Sequence, residues 1–192
     1  MIKTDYFYER TFDKEDFSSN NLPKGDYENC IFTNCNFSEN DFSEIKFIDC
    51  QFLFCNLSLS KLNKTLFRDV SFKDCKMIGL RFDDCASFGL SFSFDSCQLN
   101  HSSFYNIKLE KTIFKNCQMQ EVDFTQSNLS AATFSDCDLL RAIFDHSILE
   151  KADFRTALNY SIDPENNRIR KAKFSIWGIP GLLDKYDIMI EE

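Results

Sequence analysis

Large apolar residues recur at every fifth position along most of this chain. One series runs in steps of five from Phe7 to Phe82, and a second runs from Leu99 to Phe154. The residue two positions before each of these centres is mostly small, and all nine cysteines fall in the register of that position, Cys85 two residues before the break at Ser87. A period of five fits neither a helix nor a flat strand. It predicts a backbone that turns a corner every five residues and points one large and one small side chain inward.

The repeats resemble those of the pentapeptide-repeat family, whose consensus is A-(D/N)-L-x-x. The best matches are CNFSE at 35–39, NDFSE at 40–44, CNLSL at 55–59, SNLSA at 127–131, CDLLR at 137–141 and ADFRT at 152–156. The resemblance covers roughly residues 5–155. It implies an all-β fold, a right-handed quadrilateral β-helix with four repeats per coil and the central side chains filling the interior.

Four repeats make 20 residues, so residues 20 apart should stack at the inter-strand spacing of about 4.8 Å. About 150 residues then form a rod on the order of 36 Å long. In the second series, Phe centres alternate with Leu or Met centres. Opposite faces should therefore share a residue type, and the aromatic rings should stack in columns.

The five-residue pattern breaks once, in the segment 85–97. Position 87 is Ser, Phe92 still fits the first series, and the second series can be traced back only to Phe94. We therefore expect a two-residue insertion or bulge, and a functional hinge is the alternative. Gly89 provides the conformational freedom that either would need.

After Phe154 the repeat becomes irregular, and the chain ends in an apolar segment. We expect a repeat domain over residues 1–174, closed by an irregular last coil, and a C-terminal capping and dimerisation segment over 175–192. Pro180 suits the first turn of a short α-helix, and Leu182, Leu183 and Tyr186 are spaced as one apolar helical face. The surplus apolar surface predicts a homodimer through Trp177, Ile179, Leu182, Leu183, Tyr186 and Ile188.

Composition excludes several kinds of site. An odd number of cysteines at inward positions indicates small buried hydrophobes instead of a disulfide or metal framework. His101 and His146 fall at outward positions 45 residues apart, so we expect no shared site. There is no phosphate-binding loop, dinucleotide fingerprint or nucleophile elbow. We therefore expect no enzyme activity, no metal and no cofactor.

The expected cellular location follows from two features, the absence of targeting or membrane segments and the presence of unpaired thiols. We see no signal peptide and no apolar run of membrane-spanning length. The unpaired thiols favour a reducing cytoplasm.

Charge and shape suggest the class of partner. The net charge is −8, which argues against direct nucleic-acid binding. The chain is similar to the quinolone-resistance (Qnr-like) group, which implies a dimeric DNA mimic that binds a type II topoisomerase, DNA gyrase or topoisomerase IV. That group often relies on long loops, for which this chain has no counterpart. A cytoplasmic protein–protein interaction scaffold with an unrelated partner is the alternative.

Comparison with DNA limits the expected mimicry. A duplex of 36 Å carries roughly 21 charges, so an acidic surplus of 8 suffices only for patches. The stretch 61–92 has a net charge of +2, whereas acidic patches lie within 1–60 and 116–150. The candidate partner-binding carboxylates of the second patch are Glu121, Asp123, Asp136, Asp138, Asp145 and Glu150.

Overall fold

The chain winds into a parallel β-solenoid, seen here in a computed structural model that describes residues 5–191. Its strands are β1 (Asp5–Tyr8), β2 (Thr11–Asp13), β3 (Gly25–Glu28), β4 (Ile31–Thr33), β5 (Lys46–Ile48), β6 (Gln51–Leu53), β7 (Leu66–Arg68), β8 (Val70–Lys73), β9 (Phe92–Asp95), β10 (Ile113–Lys115) and β11 (Thr133–Ser135). The helix α1 (Pro180–Leu183) follows near the C-terminus. Short 3-10 turns occupy Phe82–Asp84, Ile176–Gly178 and Asp184–Tyr186.

Four faces run along the rod. The first carries the sheet β1-β3-β5-β7, and the second carries the sheet β2-β4-β6-β8-β9-β10-β11. The third and fourth faces are built from single parallel bridges, such as Gln98 with Gln118 and Ser103 with Asp123. Pairing joins residues 20 apart, as in Phe32 with Phe52. The expected stacking of four repeats per coil is confirmed.

Corners form at the residue two positions after each centre. Nearly all of these residues have a positive φ without being glycine, for example Asn29 at 52° and Lys111 at 62°. Such a residue pays a modest steric cost for the left-handed conformation. The cost is offset because most corner N–H groups donate to the coil above, as Asn29 N does to Ile48 O at 3.0 Å.

The interior is filled by columns of stacked rings. On the second face, Phe114 lies 5.2 Å from Phe94 and 5.1 Å from Phe134, measured between ring centroids. Phe104 and Phe124 stack in the same way on the opposite, fourth face, at 5.2 Å. Neighbouring columns meet edge to face, the other favoured aromatic geometry. The predicted alternation of residue types between faces is therefore observed.

The small inward position has a second role, which is to hydrogen-bond the backbone. Cys75 Sγ donates to Phe52 O at 3.3 Å, and Ser60 Oγ donates to Phe37 O at 2.7 Å. Thr65 makes the same contact with Phe42 O. Small residues with a donor are compatible with this buried position, since a backbone carbonyl satisfies the donor of each.

The break in the repeat is a bulge of two residues. Across it the pairing shifts from 20 to 22 residues, with Val70 beside Phe92 and Phe72 beside Phe94. The insertion precedes Phe92. The assignment of Phe92 to the first series of centres is therefore wrong, because Phe92 occupies a small inward position. Its ring fits there because the bulge opens space, in which it packs against Phe82 at 5.5 Å. The sheet of the first face ends at β7, and the next coil on that face contains the bulge.

A C-terminal cap closes the last coil. Coil pairing continues to Lys173, which bridges Asp153. Gly181 O accepts from Ile162 N at 2.9 Å, and Leu182 packs against the core. The helix α1 is only one turn long, so the expected single apolar face of Leu182, Leu183 and Tyr186 is wrong. Leu182 faces the rod, while Tyr186 Oη donates to Glu165 at 3.2 Å.

We expect docking of the cap to weaken at low pH. Lys185 Nζ lies 2.8 Å from Asp163 and 2.6 Å from Glu165. Its hydrogen bonds lower the pKa of both carboxyl groups from their usual 3.8 and 4.5. A lowered folded-state pKa contributes stability above the unfolded value, which is lost as the pH falls through the folded value. Hydrogen exchange of residues 184–186 should therefore accelerate between about pH 5 and pH 3.

A Lys185→Met variant is the control for this pH effect. It keeps the aliphatic stem and removes the ammonium group, so its exchange in the cap should be fast at both pH values once intrinsic rates are corrected. Equal pH dependence in the two proteins would contradict a role for these ion pairs.

Candidate partner-binding surfaces

The acidic candidates project from two successive coils but do not form one cluster. Asp138 lies on the third face, and Asp123 and Asp145 lie on the fourth. Glu121 occupies the corner between these faces, with a φ of 56°. Asp136 lies one corner away, between the second and third faces.

Glu150 lies apart from this group, on the first face. Its carboxylate contacts Arg168 Nη2 at 2.6 Å, so its charge is largely neutralised. We name the four neighbours Glu121, Asp123, Asp138 and Asp145 the acidic patch.

Internal hydrogen bonds hold the acidic patch in place. Asp123 Oδ1 accepts from Thr125 N at 2.8 Å. Partial burial opposes ionisation of Asp138, but hydrogen bonds from Gln120 and Asn159 lower its pKa overall. The carboxylate of Asp138 is therefore already oriented before a partner binds, so binding costs little further side-chain entropy.

Basic residues partly offset the patch at one corner. Glu121 lies 3.3 Å from both His101 Nδ1 and Arg141 Nη1, which occupy the same corner one coil before and one coil after it. His146 lies at a different corner beside Asp145, at 2.9 Å. The two histidines do not meet, as their sequence spacing predicts.

The cysteines form buried columns. All nine are free thiols, and the least buried, Cys85, is 8% exposed. Six stack in one column along the third face, since the 22-residue step places Cys97 beside Cys75: Cys35, Cys55, Cys75, Cys97, Cys117 and Cys137. Burial raises the pKa of Cys50 to about 12. Cys50 is therefore a poor nucleophile, and burial keeps reagents away from the other thiols as well.

The cap presents an exposed apolar cleft. Ile176, Trp177, Ile179, Leu183, Ile188 and Ile190 line a space of about 730 Å³. Trp177 is 82% exposed, and Met189 beyond the cleft is 93% exposed. All six predicted dimer residues are accessible to some degree, but Leu182 packs against the core at the rod end. Single exposed apolar residues are common on proteins, but a cluster of this kind marks an interaction surface.

Two further observations concern residues 5–191 only. No group of three or more His, Cys, Asp or Glu side chains there is placed to hold a metal ion. Among the helices in that range, none is long and apolar enough to cross a membrane.

Comparisons place this geometry among known proteins. The family model described as "Pentapeptide repeat region" matches residues 26–93 and 90–161. Among solved structures, a trypsin-treated variant of QnrB1, a plasmid-mediated fluoroquinolone resistance protein, is 20% identical over 97% of this chain and 100% of that chain, with a TM-score of 0.48. HetL of Nostoc, a pentapeptide repeat protein involved in heterocyst differentiation regulation, is 13% identical over 93% and 90%, with a TM-score of 0.43.

Among curated proteins, no sequence matches this chain. The family model nevertheless spans most of the repeat region, and its two matches meet at the bulge. The coils of 20 residues, the left-handed corners and the inward columns are what such a repeat produces. The chain belongs to the pentapeptide-repeat family.

Proposed function

We propose that this protein is a non-enzymatic binding protein that presents its acidic patch to a basic surface of a protein partner in the cytoplasm. The observation that carries the proposal is the placement of Glu121, Asp123, Asp138 and Asp145 on two adjacent faces of successive coils. Coils rise by about 4.8 Å, so the carboxylates form a compact array on a rigid support. Charge arrays of this kind steer association and fix orientation.

We further propose that the partner is a type II topoisomerase, to which the rod acts as a partial DNA mimic. The supports are the filled rod, the acidic patch and the resemblance of the repeats to those of the quinolone-resistance group. The mimicry is confined to a patch because Arg141 and Arg168 neutralise carboxylates on and near it.

Gyrase supercoiling, with and without a fluoroquinolone, tests the topoisomerase proposal. We expect inhibition at tens of micromolar protein, in the range of steered but weak complexes. Since the bulge adds only two residues and no long loop interrupts residues 5–191, drug relief is a separate readout from inhibition. The topoisomerase proposal fails if neither effect is seen.

Neutralising the acidic patch should weaken binding to the partner. We expect the variant E121Q/D123N/D138N/D145N to lose about tenfold or more in potency, because four steering charges are removed. A matched control neutralises four acids outside both acidic stretches: D74N/E110Q/D184N/D187N. Equal losses in the two variants would indicate a net-charge effect and contradict a role for this patch.

A scaffold for an unrelated partner is the second candidate. The observation that favours it is the mixed charge of the rod, on which several carboxylates pair with a basic neighbour, such as Asp26 with Lys46 at 2.9 Å. Affinity capture with the wild-type protein and the acidic-patch variant distinguishes the two. A specific partner that is not a topoisomerase, and that the variant loses, would favour the scaffold.

We propose that the apolar cleft of the cap joins two copies into a homodimer. Light scattering in about 0.5 M salt isolates this contact, because surface charges are screened there. We expect twice the chain mass of 22.5 kDa at micromolar concentration. The variant W177S/I188S should be monomeric, whereas I143S/L158S, which changes two exposed apolar residues on the rod, should remain dimeric. A monomeric wild-type protein would refute the proposal.

A further inference from the structure

One corner column of the rod separates its charges by sign. This first edge, between the first and second faces, consists of nine stacked residues: Glu9, Asn29, Asp49, Asp69, Ser91, Lys111, Ala131, Lys151 and Lys171. Every charge before Ser91 is negative, and every charge after it is positive. Ser91 lies at the bulge, where its Oγ donates to Asp69 at 2.9 Å.

This separation leaves the charged residues of the first edge without ion-pair partners among residues 5–191. Elsewhere, neighbouring coils pair opposite charges, as Lys115 does with Asp95 at 3.2 Å. On the first edge, Asp49 stacks on Asp69 and Lys151 stacks on Lys171, which are unfavourable like-charge neighbours. None of the six charged edge residues forms an ion pair with another residue of the described range 5–191.

When the first edge of a second copy runs in the opposite direction, the order of its charges complements the order on the first copy. Counting coils outward from Ser91, Asp69 and Lys111 stand one step away on either side, and Glu9 and Lys171 stand four steps away. An antiparallel second copy therefore brings each acid of these pairs opposite a base. Asn29 meets Lys151, Asp49 meets Ala131, and no like charges meet on the edge.

We propose that two copies of this chain associate side by side and antiparallel along the first edge, about a twofold axis at Ser91. A twofold contact is self-complementary, so every favourable pair occurs twice. The dimer thus gains two Asp69–Lys111 pairs and two Glu9–Lys171 pairs. This contact is separate from the apolar cleft at the cap and does not depend on the proposed topoisomerase function.

The residues that flank the first edge are compatible with this arrangement. The axis keeps both first faces on one side, so Arg68 meets Glu110 of the second copy. Glu28 and Glu150 also face each other, but each has its own donor, Tyr6 Oη at 2.6 Å and Arg168 at 2.6 Å. On the second-face side, the outward residues next to the edge carry no charge over seven coils: Thr11, Ile31, Gln51, Ser71, Ser93, Ile113 and Thr133.

An exposed aromatic residue lies beside the axis. Phe88, on the bulge, is 85% exposed. The bulge lies over the first face, since a Cβ at Gly89 would meet Arg68 at 3.3 Å. A groove of about 480 Å³ begins on the same coil, lined by Leu90, Ser91, Phe92, Lys108, Glu110, Lys111 and Thr112. In the proposed dimer, Phe88 of one copy fills this groove in the other, the kind of aromatic anchor that dominates interfaces.

Charge reversal tests the proposal in the W177S/I188S background, where the cap contact is absent. At low salt this parent should dimerise. We expect Asp69→Lys and Lys111→Glu each to weaken dimerisation at least about tenfold, because each reverses two contacts. Lys and Glu occur at other corners with positive φ, such as Lys111 and Glu121, so both variants should fold.

An equimolar mixture of the two single variants gives the decisive result. In the mixed dimer, reversed residues face each other with opposite charges, so heterodimers should form with near-parental affinity. A mixture that stays monomeric would overturn the proposal, as would a parent that is monomeric in about 50 mM salt.

A cysteine on the axis tests the geometry independently. Two copies of Ser91→Cys should form a disulfide-linked dimer under mild oxidation, since the native thiols are buried. Ser19→Cys, exposed at the diagonally opposite corner, is the matched control and should not cross-link. Equal cross-linking of the two variants would contradict the assigned edge. Phe88→Ala should slow cross-linking at position 91 without changing the thermal midpoint.

Discussion

Replacing Phe114 by Ala is expected to lower the free energy of unfolding by about 3–5 kcal/mol, the range for a fully buried ring. Phe114 is 0% exposed and stacks on Phe94 and Phe134 at once. Rings of the fourth face also meet its edge, at 5.9 Å from Phe104. The cavity cannot collapse easily, because the coils above and below are fixed by their backbone ladder.

Denaturant unfolding of Phe114→Ala should also change in shape. In a solenoid each coil contacts only its neighbours, so a weak coil in the middle uncouples the two ends. We expect a broadened or two-step transition by circular dichroism where the parent shows one step. Phe54→Ala is the matched control, since Phe54 is 57% exposed at a corner. A loss below about 1 kcal/mol for Phe114→Ala would contradict the packed interior.

Replacing Gly181 by Ala is expected to detach the C-terminal cap. A Cβ at this position would clash with Tyr160 O and lie 3.0 Å from its ring. The carbonyl belongs to the backbone of the last coil and cannot move aside, so we expect a cost of about 1–3 kcal/mol. Helix propensity alone predicts the opposite sign, a gain of about 1 kcal/mol for Ala over Gly. The sign of the change therefore distinguishes the two effects.

Detachment of the cap can be measured by limited proteolysis and thermal unfolding together. Trypsin should cut after Lys185 faster in Gly181→Ala than in the parent. Lys185→Ala is unsuitable because it removes the cleavage site, so Tyr186→Phe serves as the control, losing only its contact with Glu165. An unchanged cleavage rate and a raised midpoint in Gly181→Ala would show that the cap does not dock on Tyr160.

Much of the fold could be predicted from the sequence because the repeat reports directly on burial. Every fifth residue is large and apolar, and with few exceptions such residues are the buried ones, from Leu22 to Phe154. The cysteines likewise identified the small inward position. The hydrogen-bonding role of this position was not predicted. Cys75, Ser60 and Thr65 all donate to backbone carbonyls, and the ability of all three residue types to donate could be seen in the sequence.

Other features could not be predicted because they depend on where an insertion is absorbed. The count of residues is the same whether the two extra residues precede or follow Phe92, and only the pairing with Val70 decides. The charge order of the first edge becomes visible only when Asp69 and Lys111 are known to share one corner across the bulge. In the cap, the packing of Leu182 depends on the contact of Gly181 with Tyr160.

The left-handed corners allow surface side chains of this protein to be substituted without a change of fold. A corner side chain points away from the interior, and residues as different as Glu9, Asn29, Ala131 and Lys151 are accommodated there. Mutations along an edge can therefore change which surface a rod recognises while the ring columns remain unchanged. Because the coils repeat at a fixed pitch, each edge presents one corner side chain per coil in a linear order. Recognition of a partner can therefore evolve, or be engineered, by substituting one corner residue at a time.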